Sequence, residues 1–422
     1  MSLLERDGKV IWHPYTQALN ADPALPIVRA EGAYLYTEEG KRYLDGISSW
    51  WVNLHGHAHP FITERISEQL KKFHHVLFAG CTHAPAVELA EKLIAILPEN
   101  QQRVFYSDDG STAVEAALKM ALQYCFNRGI PRMRVIAFES GYHGDTFGAM
   151  SVSGRGAFTT PFASLLFEVT HIAPPLPGKE EESLAKFEAL LKDGKVAAFI
   201  FEPRILGAAG MLMYESSPLD ELLSMAKAHG VITIADEVMT GFGRTGRIFA
   251  SDYLVNSADI FCFSKGLTGG SLPLGVTSCS EEIYAAFVSE DRAKTFFHGH
   301  SYTANPISCS AALASLELLL SPACGKQIEM ISKMQLETAE RLSSHPAVSA
   351  SRALGTILAL EVGNGSASYF HPRRDTLYRG FLARGILLRP LGNVVYVMPP
   401  YCIDRAQLQQ VYSAIEQVLD ES

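Results

Sequence analysis

Short apolar runs alternate with amphipathic segments through the middle of the chain. The runs are four to six residues long, as is typical of buried strands, and they stand at residues 103–106, 134–138, 196–201, 231–235 and 260–263. Several stretches between them carry apolar residues at helical spacing, beginning near residue 112 and again near residue 218. This alternation predicts a mostly parallel sheet with helices on both faces, over about residues 103–265.

The helix predicted at residues 218–229 has clear signals at its ends. Ser217 is the expected N-cap, Pro218 the expected first helical position, and Gly230 follows the last turn. These signals place the helix directly before the apolar run at residues 231–235.

The domain boundaries are predicted on either side of this alternation, the second at the segment SPACG, residues 321–325. Residues 1–59 predict irregular segments and a hairpin and would belong to a small domain. Residues 60–321 would form a large domain. Residues 322–422 alternate again, with predicted helices at about 326–344, 372–384 and 404–419 and strands at 355–362, 386–389 and 394–398. We therefore expect two α/β domains.

Composition and charge exclude several classes of protein. Of the 422 residues, 47% are hydrophobic and 19% charged, which is an ordinary globular balance. The net charge of −9 gives no reason to expect nucleic acid or an anionic membrane as a partner. The first residues are acidic and lack an apolar core, so no signal peptide is expected. The seven cysteines are dispersed, which favours a reduced, cytoplasmic enzyme.

Two of the central apolar runs are followed by residues whose side chains can take part in catalysis. The run at 231–235 stops at Asp236, and the run at 260–263 is followed by Ser264 and Lys265. Ligands bind at the carboxyl ends of parallel strands. A lysine that forms a Schiff base and an acid that keeps a pyridine nitrogen protonated are what pyridoxal phosphate requires. The pair therefore predicts this cofactor, although either residue alone is more often a capping carboxylate or a solvated lysine.

A rival interpretation comes from Gly241, Gly243 and Gly246, which match the dinucleotide pattern GxGxxG. That pattern requires the glycines to open a helix directly after a strand. Here Asp236 and four further residues intervene, and no convincing helix follows. A nicotinamide site is therefore disfavoured.

Other segments offer a phosphate site and a ring-stacking residue. The turn at residues 107–111 joins a strand to a helix, so the free N–H groups of Gly110, Ser111 and Thr112 are suited to an anion, although a plain N-cap is an equal alternative. Tyr142 follows a strand and is well placed to stack on a flat ring, and the adjacent His143 is also suited to do so.

The stretch ISSWWVNLHGHAHP, at residues 47–60, contains adjacent tryptophans and three histidines. In an extended backbone, Trp50 and Trp51 would pack on opposite sides, but aromatic residues beside such a loop also line pockets. His55, His57 and His59 are too few ligands for a zinc site, so no metal is expected.

Several segments together resemble one family. ADEVMTGFGRTG, FSKGLTGG, SDDGSTAVEAALKMA and GYHGDTFGAMSVSG are similar to class III aminotransferases, which belong to the fold-type I pyridoxal phosphate enzymes. The resemblance covers nearly the whole chain. It implies a large domain with a mostly parallel, seven-stranded sheet, a small α/β domain built from both termini, and a homodimer with shared active sites.

The family's functional residues carry over position by position. Lys265 would hold the cofactor covalently, Asp236 would pair with its pyridine nitrogen, and Tyr142 would stack on its ring. Gly110 and Ser111 would hold the phosphate, together with Ser301 reaching across the dimer interface. The implied substrate-binding residues are Tyr15, Trp50, Trp51, Tyr142, Asp145, Arg244, Gly299, Arg389 and Tyr396.

Four more segments are similar to the biotin-pathway branch of this class: WHPYTQ, DGISSWWVNLHGHAHP, HGHSYTANP and LLRPLGNVVYVMPPY. They imply that S-adenosylmethionine donates an amino group to 8-amino-7-oxononanoate, whose carboxylate Arg389 would bind. Rival hypotheses are the same product with lysine as donor, a general ω-amino-acid transaminase using pyruvate, and a non-catalytic binding protein. Leu206 stands where many class III members carry glutamine, which disfavours the general transaminase. The role of Glu202 stays open.

Overall fold

A computed structural model describes residues 1–363 and 369–421. In chain order, the α-helices of these ranges are α1 (Leu3–Val10), α2 (Ser48–Trp51), α3 (Pro60–Leu70), α4 (Ala84–Ile96), α5 (Gly110–Asn127), α6 (Phe147–Val152), α7 (Glu180–Leu191), α8 (Ser216–Ala228), α9 (Glu281–Ala285), α10 (Pro306–Leu319), α11 (Pro322–Leu342), α12 (Arg373–Ala383) and α13 (Arg405–Asp420).

The strands of the same ranges are β1 (Ile27–Glu31), β2 (Tyr34–Thr37), β3 (Arg42–Asp45), β4 (Gln101–Ser107), β5 (Arg134–Phe138), β6 (Thr170–Ile172), β7 (Val196–Phe201), β8 (Ile205–Leu206), β9 (Leu212–Met213), β10 (Ile232–Asp236), β11 (Ile260–Phe263), β12 (Gly275–Ser280), β13 (Val348–Leu354), β14 (Ile357–Val362), β15 (Ile386–Leu387) and β16 (Val394–Val397).

The largest sheet has seven strands in the order β4-β12-β11-β10-β7-β5-β6. Its strands run parallel, except that β12 is antiparallel to both of its neighbours. Every residue of β7, β10 and β11 is buried. The residues of β7 are divided between two separate apolar clusters, with Phe199 and Phe201 in one and Ala198 and Ile200 in the other, which explains why these strands are apolar without interruption. The predicted fold class is confirmed.

The N-terminal and C-terminal parts of the chain share a second sheet. Its order is β1-β2-β3-β15, and β15 pairs in parallel with β3, with Ile386 opposite Leu44. A third sheet, β13-β14-β16, is formed by C-terminal residues alone. The domain boundaries at residues 59 and 321 stay predictions.

Two local predictions were wrong, and one strand was missed. Helix α8 begins at Ser216 with Glu215 as N-cap, because proline is tolerated throughout a first helical turn and Pro218 therefore does not mark the first position. Residues 3–10 are helical, since Ser2 and Glu5 form a capping box that the apolar pattern does not reveal. Strand β13 was not predicted.

The tryptophan pair does not lie in an extended strand. All four residues of α2 have positive φ, and this tight turn sends the two side chains to different environments. Trp51 is buried, whereas Trp50 is 38% exposed. Among the described residues, no single helix is long and apolar enough to cross a membrane; α10 and α11 pass that test only as a pair bent by 70°.

Candidate active site

Asp236 and Lys265 lie at the carboxyl ends of two neighbouring parallel strands. Asp236 is the last residue of β10 and pairs with Cys262 of β11, and Lys265 follows β11 directly after Ser264. A cavity of about 440 Å³ lies here, which we call the inner cavity; its lining includes Gly110, Ser111, Tyr142, His143, Asp236 and Lys265. The structure thus brings together the residues predicted to act in catalysis and, apart from Ser301, those predicted to bind the cofactor.

The carboxylate of Asp236 is held from two sides. One oxygen lies 2.7 Å from Nδ1 of His143, and the other accepts the backbone N–H of Val238 at 3.0 Å. Both side chains are almost fully buried, and Nε2 of His143 has no hydrogen-bond partner among the described residues. Sequence reasoning considered His143 only for ring stacking. The imidazole instead orients the acid, and its place in the Tyr-His-Gly turn after β5 was the available signal.

Lys265 is a buried amine on a strained backbone. Its φ of 45° is in the left-handed region, which non-glycine residues rarely adopt. Burial lowers the pKa of the amine, although the charges of Asp236 and Glu202 partly oppose this. Its Nζ lies 4.7 Å from the ring centroid of Trp51. A neutral amine in this position is suited to accept a proton.

The start of helix α5, in the wall of the inner cavity, is suited to hold an anion. Helix α5 begins at Gly110, and Asp109 caps it by accepting the N–H of Thr112. The first N–H groups of a helix have no intrahelical acceptor and attract phosphate. A Cβ on Gly110 would lie 2.7 Å from Cγ1 of Val238, so only glycine fits this wall without displacement.

A second cavity of about 450 Å³ adjoins the first, and we call it the middle cavity. It shares Trp51, Val52, Tyr142 and Lys265 with the inner cavity. Its other lining residues include most of the predicted substrate set: Tyr15, Trp50, Asp145, Arg389 and Tyr396. The amine of Lys265 therefore faces the junction of the two cavities.

Hydrogen bonds connect the walls of the middle cavity. The hydroxyl of Tyr15 donates to Asp145 at 2.5 Å and lies 3.3 Å from the hydroxyl of Tyr142. Burial, followed by the bond to Asp145, raises the pKa of Tyr15 to about 12. Nε1 of Trp51 donates to the hydroxyl of Tyr396 at 3.0 Å.

Arg389 is the cation of the middle cavity that is suited to a carboxylate. Its guanidinium carbon lies 4.9 Å from the ring centroid of Trp50. One of its nitrogens donates to the backbone carbonyl of Tyr15 at 3.4 Å, a weak bond that leaves most of its donors for a ligand.

Comparison with known proteins identifies the family. The Aminotransferase class-III family profile matches residues 16–419. The chain belongs to the class III aminotransferases. An adenosylmethionine-8-amino-7-oxononanoate aminotransferase of Synechococcus elongatus is 48% identical over 97% of this chain and 98% of its own length.

Solved structures of this class agree with the fold. The crystal structure of adenosylmethionine-8-amino-7-oxononanoate aminotransferase from Methanocaldococcus jannaschii superposes with a TM-score of 0.93 at 37% identity, covering 100% of this chain and 99% of that one. A PLP-bound amine transaminase from an uncultivated Pseudomonas species has a TM-score of 0.92 at 29% identity, covering 98% of each chain.

Class III aminotransferases depend on pyridoxal phosphate, and this chain is a PLP-dependent aminotransferase. The inner cavity fits the cofactor, because it combines a helix N-terminus with a glycine wall, a buried carboxylate and a buried amine of lowered pKa. Lys265 would hold the aldehyde, Asp236 the ring nitrogen, and Gly110 and Ser111 the phosphate. The nicotinamide alternative fails, since no helix begins at residues 241–246 and the next helical turn is Ala250–Tyr253.

Three residues of the aminotransferase's predicted set lie outside both cavities. Gly299 and Ser301 are exposed on the loop before α10. Arg244 is fully buried, and its guanidinium donates to the carbonyls of Pro399 at 2.9 Å and Trp51 at 3.1 Å. The motif ADEVMTGFGRTG predicts a role for Arg244 in substrate binding but not the direction of its side chain. That direction is set by backbone carbonyls distant in sequence.

Glu202, whose role the sequence left open, is a buried clamp in this aminotransferase. Its oxygens accept the N–H groups of Tyr142 at 2.9 Å and Gly207 at 3.0 Å. Burial raises the pKa of Glu202 to about 7, with the charge of His143 lowering it in part. Glu202 therefore fixes the backbone of the residue predicted to stack on the cofactor. Leu206 is buried in β8 and places no polar group in the site.

Proposed function

We propose that this aminotransferase transfers the amino group of S-adenosylmethionine to 8-amino-7-oxononanoate, which gives 7,8-diaminononanoate for biotin biosynthesis. The observation that carries the proposal is the junction of two cavities at Lys265, with Arg389 in the wall of the middle one. The relatives from S. elongatus and M. jannaschii, which match along nearly the whole chain, carry names with the same donor and acceptor.

Proton transfer in both half-reactions is assigned to Lys265. Bound pyridoxal phosphate supplies an electron sink for the substrate carbon that loses its proton. Nζ of Lys265 removes that proton from the donor, and burial lowers the pKa of the amine, which favours the neutral form that a base requires. Asp236 would pair with the ring nitrogen of the cofactor, and His143 holds its carboxylate in place. In the second half-reaction Lys265 returns a proton to the acceptor.

The middle cavity accounts for recognition of the acceptor. Its carboxylate pairs with Arg389, because a guanidinium is the preferred partner of a carboxylate. The apolar chain packs against Trp50 and Trp51, which line the same cavity. This assigns the tryptophan pair to substrate binding.

We further propose that the enzyme is a cytoplasmic homodimer with shared sites. Gly299 and Ser301 are exposed on their own chain and lie outside its inner and middle cavities. A hydroxyl at Ser301 is suited to reach a phosphate across a two-fold interface. Size-exclusion chromatography with light scattering should give twice the mass of one chain, and a monomer that retains full activity would contradict the proposal.

The absorbance spectrum of the purified enzyme tests the donor and the acceptor separately. S-adenosylmethionine alone should bleach the yellow form, and 8-amino-7-oxononanoate should restore it. Bleaching by lysine but not by S-adenosylmethionine would replace the donor. Restoration by pyruvate as efficiently as by 8-amino-7-oxononanoate would indicate a general transaminase.

A further inference from the structure

A third cavity of about 620 Å³, which we call the outer cavity, continues from the middle one. The two share six lining residues: Tyr142, Asp145, Phe158, Ala208, Tyr369 and Leu391. A ligand with its amino group at Lys265 can therefore extend past Tyr142 into the outer cavity. A substrate that does not extend past Tyr142 occupies the middle cavity and leaves the outer cavity free.

The outer cavity differs from the middle one in charge. Its described lining contains three carboxylates, Glu139, Asp145 and Glu361, and one guanidinium, that of Arg155. Arg155 is directed to the backbone, where it donates to the carbonyls of Met150 at 3.2 Å and Phe167 at 3.4 Å. Glu361 is paired with Arg352 at 2.7 Å. The remaining acidic charge favours a cationic or neutral ligand and disfavours an anionic one.

The two proposed substrates differ in the same way. The acceptor is an unbranched chain that ends in a carboxylate, which matches Arg389 in the middle cavity. The donor carries a bulky adenosyl group on a positively charged sulfur. We propose that the outer cavity is the subsite for the adenosyl group of the donor, an inference that rests on the proposed function.

The walls of the outer cavity suit a nucleoside. Phe158 and Tyr369 meet edge to face, with centroids 4.8 Å apart, at the boundary with the middle cavity, where a purine can pack against aromatic rings. Gly154, Gly156 and Ala209 leave room beyond this boundary, since none of them has a side chain larger than a methyl group. Carboxylates and hydroxyls of the lining can accept the ribose O–H groups.

Two substitutions place a large side chain in the lining of the outer cavity, at positions that do not line the cavity containing Lys265 and Arg389. Ala209 lines the outer cavity and not the middle one. Gly156 also lines it, and a Cβ there meets no atom within 4 Å, so Gly156→Phe is compatible with the backbone. Gly325→Phe is the matched control, because Gly325 is exposed on α11 and a Cβ there likewise meets nothing within 4 Å.

The holoenzyme is tested in each half-reaction separately. In Ala209→Phe and Gly156→Phe, the S-adenosylmethionine concentration that gives half-maximal bleaching should rise about tenfold or more, because the adenosyl group loses its packing. The 8-amino-7-oxononanoate concentration that restores half of the yellow form should change by less than about twofold. Gly325→Phe should match the wild type in both.

A fragment of the donor provides a direct measure of binding. 5′-Methylthioadenosine carries the adenosyl group without the amino acid, and it should compete with S-adenosylmethionine in the wild type and in Gly325→Phe. Its inhibition constant should rise about tenfold in the two cavity variants. If both variants bind the donor and the fragment like the wild type, or lose donor and acceptor affinity equally, the subsite is overturned. A wild type that does not bleach with S-adenosylmethionine instead refutes the proposed function itself.

Discussion

The inner and middle cavities are built in different ways. The inner cavity is formed mostly at the carboxyl ends of strands in one sheet, where Asp236, Lys265 and Gly110 are placed by β10, β11 and the start of α5. The middle cavity adds Tyr15 and Trp50 from one end of the chain and Arg389 and Tyr396 from the other. The cofactor chemistry therefore depends on a continuous sheet, whereas substrate choice depends on segments that meet only in the folded chain.

The largest effect is expected from breaking the inner cavity. Lys265→Ala removes the amine that we propose as base and covalent anchor, so the rate of amino transfer should fall by about 10⁴-fold or more in a steady-state assay. Lys192→Ala, which changes a lysine that is 67% exposed, should leave the rate unchanged. A Lys265→Ala enzyme that keeps a tenth of the wild-type rate would refute the assignment.

Glu202 tests how strongly the cavities are coupled, because it holds the backbone of Tyr142, which lines all three. Burial raises its pKa from 4.5 to about 7, so the folded chain binds this proton more tightly than the unfolded chain. The free energy of unfolding therefore decreases as pH rises from about 4.5 to about 7, by about 3 kcal/mol from this group.

Glu202→Gln should remove this pH-dependent contribution to the free energy of unfolding. The amide also has one hydrogen-bond acceptor fewer than the carboxylate, a loss that is the same at every pH. Denaturant unfolding at pH 5 and pH 8 gives the change in the free energy of unfolding between the two pH values. The difference in that change between wild type and variant is the contribution of Glu202. Glu237, whose pKa burial also raises to about 7, is unchanged in the variant and keeps its own pH dependence. An equal pH dependence in Glu202→Gln and wild type would contradict this account.

A smaller effect is expected in the middle cavity. Arg389→Ala should raise the KM for 8-amino-7-oxononanoate about 10- to 100-fold, the loss typical of a hydrogen bond to a charged group. Arg384→Ala is a suitable control, since Arg384 lies outside the inner and middle cavities. A change in kcat without a change in KM would argue that Arg389 does not bind the acceptor.

The smallest effect is expected at Trp51, which lines both the inner and the middle cavity. Trp51→Phe keeps an aromatic ring but removes the 3.0 Å hydrogen bond to Tyr396. Stability should fall by about 1 kcal/mol from the lost hydrogen bond, seen as a Tm lower by about 1 °C. Tyr396→Phe should cost a similar amount, and the double variant should cost less than the sum of the two. Additive losses would mean that the bond contributes nothing.

The sequence predicts the inner cavity better than the middle one for a physical reason. Asp236 and Lys265 each terminate a buried apolar run, and parallel strands bring such ends together. Trp50 lies on a turn with positive φ, and no local pattern predicts that conformation. Arg244 forms bonds to carbonyls at residues 51 and 399, so its direction is set by chain segments far from its motif.

The buried guanidinium of Arg244 also affects how the protein is made. It ties the loop after β10 to the backbone at Trp51 and at Pro399, which lie far apart in the sequence. Chains emerge from the ribosome N-terminus first. The central sheet can therefore form around Asp236 and Lys265 while the wall containing Arg389 and Tyr396 is still untranslated. The wall of the middle cavity is therefore completed after the central sheet.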